Sequence, residues 1–185
     1  MAIGPGSCAE PPFRNDCDPA GAPFVFYRAA MQRNEVLPEV LREVSLFAGL
    51  PESERKVLAA CLVARRYDAG EILFREDEPG ATLLIVVRGL LVATTSLPDG
   101  SAKVLNQMEG GEVAGEMAFL DPAPRSATVS AVEPTVVYEL SHDTMAVLHQ
   151  RAPMAVAAIV AEAIRDVARR LRRLDERIAL AMVTP

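Results

Sequence analysis

The segment GGEVAGEMAFLDPAPRSATVSA, Gly110 to Ala131, combines a helix start, the acid Glu116 and one arginine in a conspicuously apolar setting. Alternation along an extended chain puts Arg125, Ala127, Val129 and Ala131 on one face and Ser126, Thr128 and Ser130 on the other. The arginine therefore shares a face with apolar side chains. If that face looks into a core, the guanidinium needs an anion, because an unpaired buried charge is strongly destabilising. Glu116 can supply that anion, or a ligand can. Just upstream, Gly115-Glu116-Met117-Ala118 reads as the glycine-led first turn of a short helix, whose free N–H groups and dipole attract a phosphate. Those donors and the arginine's fork can converge on one oxyanion. The plainer alternative is that Arg125 pairs with Glu116 or extends along apolar surface to the rim of the fold.

Other chemistry is poorly supplied. His142 and His149 fall in one predicted helix away from this segment, and neither has a Cys or Ser nucleophile beside it. The stretch from Leu62 to Leu140 contains no histidine, which argues against a metal-dependent barrel enzyme. Cys8, Cys17 and Cys61 are scattered and odd in number, so neither a disulfide framework nor a metal cluster is expected.

The elements that must position Glu116 and Arg125 follow from periodicity. Between Leu62 and Leu140 the chain is a series of short apolar or alternating runs, EILF, TLLIVV, LLVATTS, AKVLNQM, RSATVSA and TVVYEL, separated by turn residues. Pro98-Asp99-Gly100-Ser101 is a hairpin signal. This spacing predicts about eight strands and a mainly β fold, a sandwich, jelly roll or barrel, with flanking helices. Ahead of it, Val40, Leu41, Val44 and Leu46 or Phe47 have helical spacing, and Pro51 is placed to open a second helix at its first position. Behind it, Ser141 can cap a helix from His142 to Gln150, and Pro153 can start a longer one. In that last helix Val156, Val160, Ala163, Val167, Leu171, Leu174 and Ile178 step by three and four, a seam for another helix. The division expected is a flexible tail over 1–35, a β domain with its N-terminal helices over 36–150, and a lid or dimerisation helix over 151–185.

Gly110 to Ala131 resembles the phosphate-binding cassette of the cyclic-nucleotide-binding domain family: a Gly-Glu, small and apolar residues, then Pro-Arg, a small residue, Ala and Thr. The similarity runs from about Leu46 to Ala168 and takes in LFAGLPESE and DAGEILFREDEPG. It implies a double-stranded β-helix or jelly-roll barrel. It also implies that Arg125 binds the cyclic phosphate of cAMP or cGMP, that Glu116 accepts a hydrogen bond from the ribose 2′-hydroxyl, and that amides at Gly115, Ala118 and Ser126 complete the cradle, with Met117 in the same turn. Ala114 departs from the family, which often has Phe there. Ser126 occurs in relatives of either purine preference; cAMP is favoured here. The resemblance further implies a C-terminal helix closing over the base, with Arg165, Asp166, Arg169 or Arg170 in reach; otherwise these residues form a solvated polar face.

A net charge of −6 argues against a general nucleic-acid binder. Residues 153–185 carry six Arg against four acids, more simply a dimer flank than a phosphate-tracking surface. Few residues follow the long helix, so no helix-turn-helix module is expected. The uncharged run Ala152 to Ala161 falls about half short of the roughly 20 residues that span a bilayer, and no secretory signal is evident, so a cytoplasmic location is expected. The expectation is a non-enzymatic cyclic-nucleotide sensor without metal, homodimeric through its last helix and acting on another protein. The alternative is a degenerate barrel that serves as a protein-docking scaffold.

Overall fold

The computed structural model describes residues 36–183 apart from Pro122, and from 177 onwards the backbone alone. The expected tail over 1–35 lies outside the described residues. Eight strands form two four-stranded antiparallel sheets: β1 (Val63–Tyr67), β8 (Thr135–Ser141), β3 (Thr82–Arg88) and β6 (Val113–Ala114), in that order, and β2 (Ile72–Phe74), β7 (Thr128–Ala131), β4 (Leu91–Ser96) and β5 (Ala102–Met108). The mainly β fold of about eight strands expected from the turn spacing is observed, arranged as the two-sheet jelly roll that the resemblance implies. Helices flank it: α1 (Glu52–Cys61), the five-residue α2 (Glu116–Leu120) inside the cassette, α3 (His142–Arg151) and α4 (Pro153–Val183).

The run TLLIVV is apolar throughout because β3 is covered on both faces. Leu83 and Ile85 join a core shared with the helices, where Leu41, Phe47, Leu58, Leu140, Leu148 and Ile159 also lie. Leu84 and Val86 point the other way, into the space between the sheets, with Leu91, Met108, Ala114, Val129 and Val137. At the β4–β5 hairpin the amide of Gly100 donates to Leu97 O at 2.9 Å, and Gly100 takes φ 82°, a conformation open to glycine.

Three local expectations are corrected. The first predicted helix is instead a pair of 3-10 turns, Val40–Arg42 and Ser45–Phe47. Its buried residues Leu41, Val44 and Phe47 recur every third position, the period of a 3-10 turn. Pro51 caps α1 from outside rather than occupying its first turn. In the long helix, Ala163 is buried in the core shared with the helices, and the exposed Ile164 takes its place in the apolar stripe.

The quoted runs also pass over β1 and β6. In β1 only Ala64 is buried, so VARRY carries two exposed arginines and little apolar signal, and β6 is two residues long. The long helix is seated at its start by Glu54 of α1, whose Oε2 accepts from the Ala155 amide at 3.0 Å, a carboxylate at the positive end of a helix. Ala155, Ile159 and Ala163 then bury one face against the helical core, which Ala152 joins just ahead of the helix.

Candidate functional site

The backbone on either side of Arg125 is tied to the loop between β2 and β3. Its amide donates to Glu78 O and its carbonyl accepts from the Asp77 amide, both at 2.9 Å, while Pro79 and Pro124 pair as an isolated bridge. This fixes the side chain at the entrance to β7, where the alternation read from sequence holds: Arg125, Ala127, Val129 and Ala131 are buried, and Ser126 is exposed.

Arg125 is 5% exposed, and among the described residues every partner of its guanidinium within contact distance is neutral. Nη2 donates to Thr82 Oγ1 at 2.8 Å, Nη1 donates to Gly115 O at 3.2 Å, and Cζ stands 3.6 Å from the centre of the Phe74 ring, close enough for a cation–π contact. Two glycines leave it room. A Cβ on Gly80 would overlap Nε and come within 2.7 Å of Cζ, and one on Gly115 would lie 2.5 Å from Nη1. Gly115 also takes φ 82°, the left-handed turn that starts α2.

Sequence alone left open whether Glu116 or a ligand neutralises Arg125. Among the described residues no ion pair joins them, and Glu116 Oε1 is instead 3.0 Å from Arg170 Nη2. Among the described residues the buried Arg125 guanidinium has no carboxylate within ion-pair distance, and burial lowers its pKa by disfavouring the charge. Chemically, this fork of N–H donors, beside first-turn amides of α2 that have no intrahelical acceptor, is matched to an anionic oxygen group such as a phosphate. Glu116 is 1% exposed, and burial pushes its pKa up against the opposing pull of Arg170.

All six residues singled out from sequence, Gly115, Glu116, Met117, Ala118, Arg125 and Ser126, line one pocket. Phe74, Met108 and Val129 give it an apolar side and Arg170 reaches it from α4. Of the four lid candidates, Arg170 contacts Glu116, and Asp166 holds Arg170 through a 2.7 Å ion pair. Arg169 pairs with Glu162, Glu112 and Asp166 at 2.9, 3.4 and 3.5 Å. Arg165 pairs with Glu162 from an exposed position and is not among the pocket residues.

Sequence reasoning passed over Asn106, whose amide nitrogen donates to Asp166 Oδ1 at 3.4 Å and whose Oδ1 accepts from Arg173 Nη2 at 2.9 Å. The signal was present: Asn106 alternates with Met108 on the buried face of β5, an amide where an apolar residue is the norm. His142 stacks edge-on against Phe119 at 5.6 Å between ring centres. Among the described residues no group of three or more His, Cys, Asp or Glu is placed to hold a metal ion, and no helix is long and apolar enough to cross a membrane.

The sequence profile described as "Cyclic nucleotide-binding domain" matches residues 64–152, which include the whole cassette. Human cGMP-dependent protein kinase 2 is 33% identical over 110 residues, 59% of this chain and 14% of the kinase, so the chain spans about a seventh of that relative. A cyclic nucleotide-binding domain from Methylobacillus flagellatus KT superposes with a TM-score of 0.65 at 23% identity, over 84% of this chain and 88% of its own, a likeness of fold. The N-terminal domain of a transcriptional regulator from Streptomyces coelicolor A3(2) is 31% identical with a TM-score of 0.56, over 75% of this chain and 94% of its own.

Proposed function

The chain belongs to the cyclic nucleotide-binding domain family, and from that premise we propose that it is a sensor which binds a cyclic purine nucleotide, cAMP ahead of cGMP, and does no chemistry on it. The observation that carries this reading is Arg125, a buried residue whose guanidinium is held by a hydroxyl, a carbonyl and an aromatic ring and has no carboxylate of its own among the described residues. In this reading Arg125 binds the cyclic phosphate together with amides at Gly115, Ala118 and Ser126. Glu116 accepts from the ribose 2′-hydroxyl, and Met117 lines the turn. Occupancy is passed to another protein in the cytoplasm by a homodimer that pairs along the exposed stripe of α4.

Calorimetric titration of cAMP and cGMP tests it. Affinity near micromolar, roughly 8 kcal/mol, is expected for the preferred ligand. Arg125→Leu should lose about 1.5 to 3 kcal/mol, the range for charge-assisted hydrogen bonds; unchanged affinity in that variant sinks the reading. Glu116→Ala should bind cAMP and 2′-deoxy-cAMP about equally, whereas the parent prefers the 2′-hydroxyl. The docking-scaffold reading has one observation in its favour, that Arg170 already pairs with Glu116 within the chain. A parent protein that binds neither nucleotide would select it.

A further inference from the structure

Four buried side-chain atoms make no hydrogen bond among the described residues: Oε1 and Oε2 of Glu116, Oδ2 of Asp166 and Nε of Arg170. They are neighbours, because Arg170 Nη2 stands 3.0 Å from Glu116 Oε1 and 2.7 Å from Asp166 Oδ2. Three charged groups face the Glu116 carboxylate. Arg170 and Asp166 come from α4 and Arg125 from the entrance to β7. Asp166 has the same sign as Glu116 and opposes its ionisation. Arg125 directs its N–H groups to Thr82 and Gly115. Arg170 is therefore the counter-ion of Glu116, and it arrives only when α4 is docked.

We infer that Arg170 is the positioning residue for Glu116: by docking on the cassette, α4 brings the guanidinium that keeps this buried carboxylate ionised and hence a hydrogen-bond acceptor. The inference deepens the assignment of Glu116 to the ribose, on which its functional meaning rests. Closure of the helix and readiness of the ribose acceptor then become one event. Arg170 is itself aimed by Asp166, which Asn106 and Arg169 hold in turn, so the acceptor is prepared by contacts that run from β5 through α4.

The test needs no nucleotide. Urea unfolding of the full chain is followed from pH 5 to pH 8 for the parent, R170M, R170K, E116Q and E116Q/R170M. A carboxyl whose folded pKa is raised contributes stability that is present below its unfolded value and lost as pH rises through the folded value. Burial already raises Glu116, and removing Arg170 moves its folded value further up. R170M should therefore fall behind the parent progressively as pH rises, by at most about tenfold in folding equilibrium constant per pH unit, the limit for one proton. R170K should recover most of this, and the pH-dependent part should vanish when E116Q/R170M is compared with E116Q. A gap that is the same at every pH overturns the inference, as does one that persists in the Gln background. Failure of the parent to bind cAMP or cGMP would instead overturn the ribose role, and the unfolding curves would still decide what Arg170 does.

Discussion

At the scale of single residues, the site depends as much on side chains that are missing as on those present. Gly115 stands where a Cβ would meet Arg125 Nη1 at 2.5 Å, Phe74 Cε2 at 2.8 Å and Thr82 O at 2.9 Å, and its φ of +82° strains any other residue. Gly115→Ala should displace the guanidinium, weaken cyclic-nucleotide binding about tenfold or more, and cost about 1 to 3 kcal/mol of stability, read by calorimetry and thermal melting. Gly49 has nothing within 4 Å of its added Cβ, so Gly49→Ala should leave binding unchanged. Equal effects in the two variants would contradict the clamp. Glu116 and Arg125 were legible in the sequence because a glycine-led turn and strand alternation are local patterns. Thr82 and Phe74 were not. Thr82 lies 43 positions before its partner, and no local period records a contact that exists only once the sheets have closed.

At the scale of elements, α4 is held by polar contacts on one face and by Glu54 at its start. Glu54→Gln removes the charge that meets the first turn of α4 and weakens its bond to Ala155. It should lower stability by about 1 kcal/mol, measured by urea unfolding, with little change in the nucleotide pocket. Asn106→Ala cuts the links to Asp166 and Arg173. Amide hydrogen exchange over 162–173 should then quicken while β3 stays protected; unaltered exchange would show that α4 is seated without Asn106. The helix was visible in sequence, but its face was only partly so. Steps from Val160 to Val167 can pass through Ala163 or Ile164 with equal helical regularity, and only the barrel, by burying Ala163, selects Ile164 for the outside. The 3-10 turns were misread for a related reason, since apolar residues three apart fit either period over so short a segment.

At the scale of the whole molecule, β3 joins two cores, one between the sheets and one under the helices. From Ile164 onwards the stripe of α4 belongs to neither. Leu171 and Leu174 are 58% and 53% exposed in line with Ile164 and Val167, and the side chain of Ile178 lies outside the described residues. Pairing of two copies along the stripe should contribute a few kcal/mol, at about 25 cal/mol per Å². Light scattering at tens of micromolar should report a dimer, and Leu171→Asp with Leu174→Asp should give a monomer that retains nucleotide binding. A monomeric parent would rule the dimer out. The strand-rich fold was legible because its turns are spelled out by glycine and proline, whereas the choice of a jelly roll came from the resemblance, and no local period separates a stripe that meets a second copy from one that covers its own barrel. One consequence of the long helix is mechanical. Beyond Arg173, the last residue whose contact with the barrel side is described, α4 continues ten residues to Val183, about 15 Å at 1.5 Å per residue. It is a lever. A tilt of about 10° at that pivot swings its far end by about 2.6 Å over this length, so a rearrangement too small to disturb the barrel becomes a stroke comparable to a hydrogen bond, with an amplitude set by the length of the arm.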